Sequence, residues 1–137
     1  MRTYNLFISH SWKYSDTYDG LVKLLNNKPY FSYKNYSVPF YDPINNTKSD
    51  WQLKNAIREQ MRHANCVLVL AGVYSSYSKW IDIEVDMALD DFAVPKPVIA
   101  IDPWGAERTS LVVKQRAIRC VKWQTDAIVS AIREYSI

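Results

Sequence analysis

Two neighbouring stretches decide the fold: Cys66-Val67-Leu68-Val69-Leu70-Ala71-Gly72, and Ser78-Lys79-Trp80-Ile81-Asp82-Ile83-Glu84-Val85-Asp86-Met87-Ala88-Leu89. The first is apolar from Cys66 to Ala71 with no polar interruption. A strand of that kind belongs in a sheet covered by helices on both faces, the usual setting of parallel strands. The second stretch has helical periodicity. At about 100° per residue, Trp80 and Ala88 flank Glu84 at i−4 and i+4, and Ile81 and Met87 at i±3. Asp82, Asp86 and Asp90 fall on the far side, where water is expected. A strand leading into a helix is the repeating unit of an α/β domain.

The same alternation continues on either side of this unit. Upstream, Asp50 caps a helix with the stripe Leu53, Ala56, Ile57, Gln60 and Met61. Before it come a polar, turn-rich loop from Asp42 to Ser49 and a second strand over Tyr36 to Tyr41, where Pro39 marks an edge or a bulge. The chain opens with a strand over Tyr4 to Ser9. A helix capped by Asp16 follows, with Tyr18, Leu21, Val22, Leu24 and Leu25 as its stripe, and Lys28-Pro29 ends it. Downstream, Pro97 to Ile101 reads as the fourth strand. A loop with Pro103-Trp104-Gly105 and a short helical segment come next. Ile118 to Trp123 reads as the fifth strand, and Thr125 or Asp126 opens a last helix carrying Ile128, Val129, Ile132 and Tyr135. Five alternations predict a five-stranded parallel sheet with right-handed crossovers and helices on both faces. Ligands in such folds sit beyond the carboxyl ends of the strands. The loops there are His10 to Ser15, Asp42 to Ser49, Gly72 to Ser78 and Asp102 to Ser110, and Glu84 lies about two turns into the helix leaving the third of them.

Composition bounds the function. The 137 residues suit one domain spanning 1–137 with a real core, and 48% hydrophobic with 23% charged residues is ordinary for a globular protein. No apolar run approaches the ~20 residues of a membrane span. No signal peptide is visible, so a cytoplasmic location is the expectation. Net charge is +3, too mild to imply nucleic acid. Cys66 and Cys120 read as small buried hydrophobes. With only His10 and His63 besides and no clustered ligands, a metal site is not expected. The helix around Glu84 is acidic and the C-terminal third is basic, an asymmetry that would support self-association through opposite patches.

Glu84 is the residue that calls for an explanation. A carboxylate centred on an apolar stripe is costly unless it is paired or used, and such groups have shifted pKa values. Either an Arg or backbone donors hold it, or it does chemistry. Several chemistries are disfavoured. The turn after the first strand, His10-Ser11-Trp12-Lys13, has no glycine, which argues against a dinucleotide cofactor site and a phosphate-cradling loop. A phospho-relay receiver would need acids after the first strand and an Asp ending the third. This chain has Ser9-His10 and Ala71-Gly72 there. No nucleophile elbow is present.

Taken together, Phe7-Ile8-Ser9-His10-Ser11, the Ser78-x-Trp80-x-x-x-Glu84 helix and the run Cys66 to Gly72 that precedes it resemble the Toll/interleukin-1 receptor-like (TIR-like) domains. The likeness is to the stand-alone prokaryotic type, including the TIR-like component of Thoeris anti-phage systems. Pro103-Trp104-Gly105-Ala106-Glu107-Arg108 and Val121-Lys122-Trp123-Gln124-Thr125-Asp126 resemble that subgroup's late segments, so the likeness covers nearly the whole chain. Trp12 and Tyr14 make the loop after the first strand bulkier than in many relatives.

The resemblance implies a flavodoxin-like three-layer fold and cleavage of the nicotinamide–ribose bond of NAD. NAD would be a substrate and no cofactor is expected. The product would be a cyclic or modified ADP-ribose that activates a separate effector. By this match Glu84 corresponds to the catalytic glutamate. Ser9, His10 and Ser11 correspond to the loop bordering the nucleotide, and Asp42 to Ser49 to a mobile loop. Trp80 either stacks on the ligand or is core. Self-association through TIR–TIR contacts is the expected partnership, with no nucleic acid and no membrane. Two other readings stand beside this one: a non-catalytic interaction module, and a small-ligand sensor of the flavodoxin class.

Overall fold

The computed structural model describes residues 2–9, 15–37, 50–70, 79–102 and 115–137. Five strands and four helices are found among them: β1 Thr3–Ser9, α1 Ser15–Asn26, β2 Ser32–Asn35, α2 Asp50–Met61, β3 Cys66–Leu70, α3 Lys79–Asp90, β4 Val98–Asp102, β5 Arg119–Lys122 and α4 Thr125–Tyr135. The strands form one sheet in the order β2-β1-β3-β4-β5, and every pairing is parallel. That order is the flavodoxin-like one.

Side-chain alternation along the strands divides the core in two. Phe7, Val67, Val69, Val98 and Ala100 point to the face covered by Leu53, Ile57 and Met61 of α2 and by Trp80, Ile81, Val85 and Ala88 of α3. Leu6, Ile8, Cys66, Leu68, Leu70, Ile99 and Ile101 point to the other face, against Leu21 and Leu25 of α1 and Ile128, Val129 and Ile132 of α4. All five residues of β3 are buried, as its unbroken apolar sequence requires at the centre of a two-sided sheet.

Four details differ from the sequence reading. The second strand is Ser32–Asn35, ahead of the expected Tyr36 to Tyr41; residues 38–41 lie outside the described residues. Pairing explains the shift. The ladder starts at the first residue of β1, Thr3 against Ser32, so the edge strand must lie there. An edge strand needs little apolar sequence: Tyr33 alone faces the core, stacked on Phe31 at 5.7 Å. Beyond Asn35 the ladder is completed by the Tyr36 N–H donating to the Leu6 carbonyl at 2.8 Å and the Ile8 N–H donating to Ser37 Oγ at 2.9 Å. Second, Asp16 is in the first turn of α1, which starts at Ser15. Third, Asp50 is itself the first residue of α2 rather than a cap ahead of it. Helix α4 opens at Thr125, as expected, and the Thr125 hydroxyl donates to the Leu24 carbonyl at 2.9 Å, tying α4 to α1.

Fourth, Cys120 is exposed on the edge strand β5, whereas Cys66 is buried. Burial pushes the Cys66 thiol up to about 12, and the thiolate is the reactive form. In native protein at pH 8, a thiol reagent such as DTNB is expected to titrate Cys120 alone. Cys66 should respond only in denaturant. Two rapid equivalents from native protein would refute this.

Gly20 sits where α1 meets the edge of α4, and an added Cβ would lie 3.1 Å from Cζ2 of Trp123. Gly20→Ala gains about 1 kcal/mol of helix propensity while the half-buried Trp123 ring shifts slightly. The expected net change in urea unfolding is small. Gly20→Leu overpacks the contact and should destabilise by about 1–3 kcal/mol.

Candidate functional site

Helix α3 lies over β1, β3 and β4. It follows β3, so as a parallel crossover it starts at the carboxyl edge of the sheet and runs back down. Its buried stripe is Trp80, Ile81, Val85, Met87 and Ala88. Glu84 is centred on that stripe and fully buried, while Asp82, Asp86 and Asp90 are exposed, as the helical periodicity predicts. Ser9 is the last residue of β1. It shares the parity of Phe7 and so faces α3; it too is fully buried. Ser9 and Glu84 are the buried polar side chains of the described residues.

Burial pushes the Glu84 carboxyl well above the ordinary carboxylate range, and the adjacent Ser9 hydroxyl pulls the other way. Ser9 Oγ completes no hydrogen bond of standard geometry. The two polar groups lie together in the core, and the desolvation of the charge outweighs the help from Ser9. Burial favours the neutral form of the carboxyl, and a positive charge beside it favours the ionised form.

Trp80 is in the core cluster with α2, with 8% of its surface exposed. It packs there one turn before Glu84 on α3. The structure brings together Ser9, Glu84 and Trp80. His10 and Ser11 lie outside the described residues, as do the loops 42–49 and 71–78.

The exposed side of α3 is tied to the rest of the chain. Arg116 pairs with Asp86. Partial burial and the neighbouring Asp86 raise the Asp82 carboxyl, against the pull of Arg116. Part of the charge asymmetry of the sequence is thus satisfied within the molecule. Arg58 of α2 bridges to Asp91 at 2.7 Å and to Asn55 Oδ1 at 2.7 Å, fixing α2 against the end of α3.

One residue of this region reads from the sequence only as the start of a loop. Asp102 is the last residue of β4 and is half-buried. An acid ending an otherwise apolar strand is the signal that marks it. No His, Cys, Asp and Glu cluster able to hold a metal ion occurs among the described residues, and no described helix is long and apolar enough to cross a membrane.

A family model described as "Thoeris protein ThsB, TIR-like domain" matches residues 7–108. The matched span contains Ser9, Trp80 and Glu84 and runs from within β1 to beyond β4. No curated protein matches the chain.

Proposed function

Because the chain belongs to the Thoeris ThsB TIR-like domain family, we propose that it is an NAD-cleaving signalling enzyme of anti-phage defence with Glu84 as its essential carboxylate. The observation that carries this reading is the fully buried Glu84, set beside Ser9 near the carboxyl edge of the sheet. The other acids of α3, Asp82, Asp86 and Asp90, lie on its solvent side.

The chemistry suits the residue. When the nicotinamide–ribose bond breaks, nicotinamide leaves as a neutral molecule and positive charge develops at the ribose. A fixed carboxylate in a water-poor site stabilises that charge strongly. The logic parallels glycoside cleavage, with no acid needed for so good a leaving group. The cationic nicotinamide ring of the substrate would offset the desolvation of Glu84 and favour its charged form. Burial also keeps water from the reacting centre, which favours a cyclic or otherwise modified ADP-ribose over simple hydrolysis. Such a diffusible product would reach a separate effector. A cytoplasmic location and self-association through TIR–TIR contacts belong to the same proposal.

The test is mass spectrometry of NAD incubated with wild type and with Glu84→Gln, with and without extract of phage-infected cells. Nicotinamide and an ADP-ribose derivative from wild type alone are expected. No turnover by wild type under any condition would overturn the enzyme reading and favour a non-catalytic interaction module.

A further inference from the structure

Three observations converge on Asp102. First, it is on the face of Glu84. Val98 and Ala100 of β4 both pack under α3, and strand alternation puts Asp102 on that side. Second, it is at the right height. Ser9 pairs with Val69 and Val69 with Ala100, so these three residues form one row across β1, β3 and β4. Glu84 meets that row at Ser9. Asp102 lies two residues beyond Ala100, about 6.6 Å further toward the carboxyl edge. Trp80, four residues before Glu84, lies about 6 Å up the antiparallel α3. Asp102 and Trp80 are therefore at one height, a step above Glu84, with Asp102 two strands, about 9.6 Å, across the sheet from Ser9, a span that the two carboxylate side chains and a ribose between them can bridge. Third, Asp102 is half-buried, whereas the acids of α3 that face solvent are exposed.

We propose that Asp102 is a substrate-binding residue of the same site, its carboxylate accepting hydrogen bonds from the 2′- and 3′-hydroxyls of the ribose whose anomeric carbon Glu84 faces. This rests on the NAD-cleavage reading. A ribose held at its hydroxyl edge by one carboxylate, with the other beneath its reacting carbon, has a fixed orientation. That is what a displacement at a single carbon requires. Asp102 thus sets specificity for a ribosyl substrate over a deoxyribosyl one. A purely structural alternative exists in the register: Asp102 is the neighbour of Lys122 on β5, so it could instead bind the edge strand to β4.

The experiment compares wild type, Asp102→Asn and Lys122→Met in binding of NAD and of its nicotinamide-side 2′-deoxy analogue, by calorimetry on the Glu84→Gln background, and in turnover of NAD on the wild-type background. The proposal expects Asp102→Asn to weaken NAD binding by about 10- to 100-fold and to abolish the preference for NAD over the deoxy analogue. The melting temperature should stay unchanged, and Lys122→Met should behave as wild type. Unchanged NAD preference in Asp102→Asn would overturn it. So would a loss of stability shared by Asp102→Asn and Lys122→Met with the NAD preference intact, which would assign Asp102 to holding β5. If the parent protein neither binds nor cleaves NAD, the NAD reading itself falls and takes this assignment with it. Failure of Asp102 alone, with NAD still cleaved, leaves that reading standing.

Discussion

Glu84→Gln is expected to lower NAD turnover by about 10³-fold or more while leaving the fold intact, since removal of one preorganised charge-stabilising group typically costs 10²–10³ and here the group carries a full charge. Gln has nearly the same shape and keeps the packing against Ile81, Met87 and Ala88, so the loss isolates the charge. Glu84→Asp should fall nearly as far, because shortening the side chain withdraws the carboxylate from the ribose by about one bond length and misplacement of about 1 Å costs about 10². Ser9→Ala should be milder: Ser9 assists ionisation, but its effect is smaller than that of burial, and it carries no charge of its own. The pH profile adds a second signature. Turnover requires the ionised carboxylate, so kcat/KM should rise with pH through the raised pKa of free Glu84. The corresponding limb of kcat should lie lower, because the bound nicotinamide cation favours ionisation. Equal turnover by wild type and Glu84→Gln would remove Glu84 from the chemistry.

The same substitution should stabilise the protein at neutral pH. In the unfolded chain Glu84 titrates near its ordinary value of 4.5, and in the folded protein burial raises it well above that. Below pH 4.5 both states hold the proton and the group makes no difference. As pH rises, the unfolded chain releases the proton while the folded protein retains it, so stability falls with pH. The fall ends once pH passes the folded-state value. Gln has no such titration. Glu84→Gln should therefore melt above wild type at pH 7.5, and the two should converge near pH 4.5. Every tenfold difference between the folded and unfolded acidity constants is worth about 1.4 kcal/mol, and about 1 kcal/mol moves the melting temperature of a domain this size by roughly 3–5 °C. Calorimetry from pH 4 to 8 reads this directly. A Glu84→Gln protein that melts below wild type at every pH would mean that Glu84 is held charged as a structural anchor. Greater stability joined to lost activity is what a site held in a strained electrostatic state predicts.

Much of this architecture is legible in the order of residues. The unbroken apolar run at Cys66 requires a doubly covered strand, and the α3 periodicity sets Glu84 on the buried side and three aspartates on the wet side. Those are consequences of local geometry, with period 2 along strands and 3.6 along helices. The edges of the sheet are less legible. β2 and β5 have little apolar surface to bury, so neither the position of the second strand nor the exposure of Cys120 is written in a hydrophobic pattern.

The alternating α/β order, the core residues of β1, β3 and α3, and the anomaly of a carboxyl group on an apolar stripe all follow from the linear chain. What surrounds that carboxyl group follows only from the assembled fold. Pairing between β1 and β3 carries Ser9 up to Glu84 from about 75 residues away in sequence, and pairing between β3 and β4 places Asp102 on the same face. Local periodicity settles which way a side chain points on its own element. The row in which it ends up is set by inter-strand hydrogen bonds and by the packing of α3 across three strands, and those join residues that no window of sequence contains.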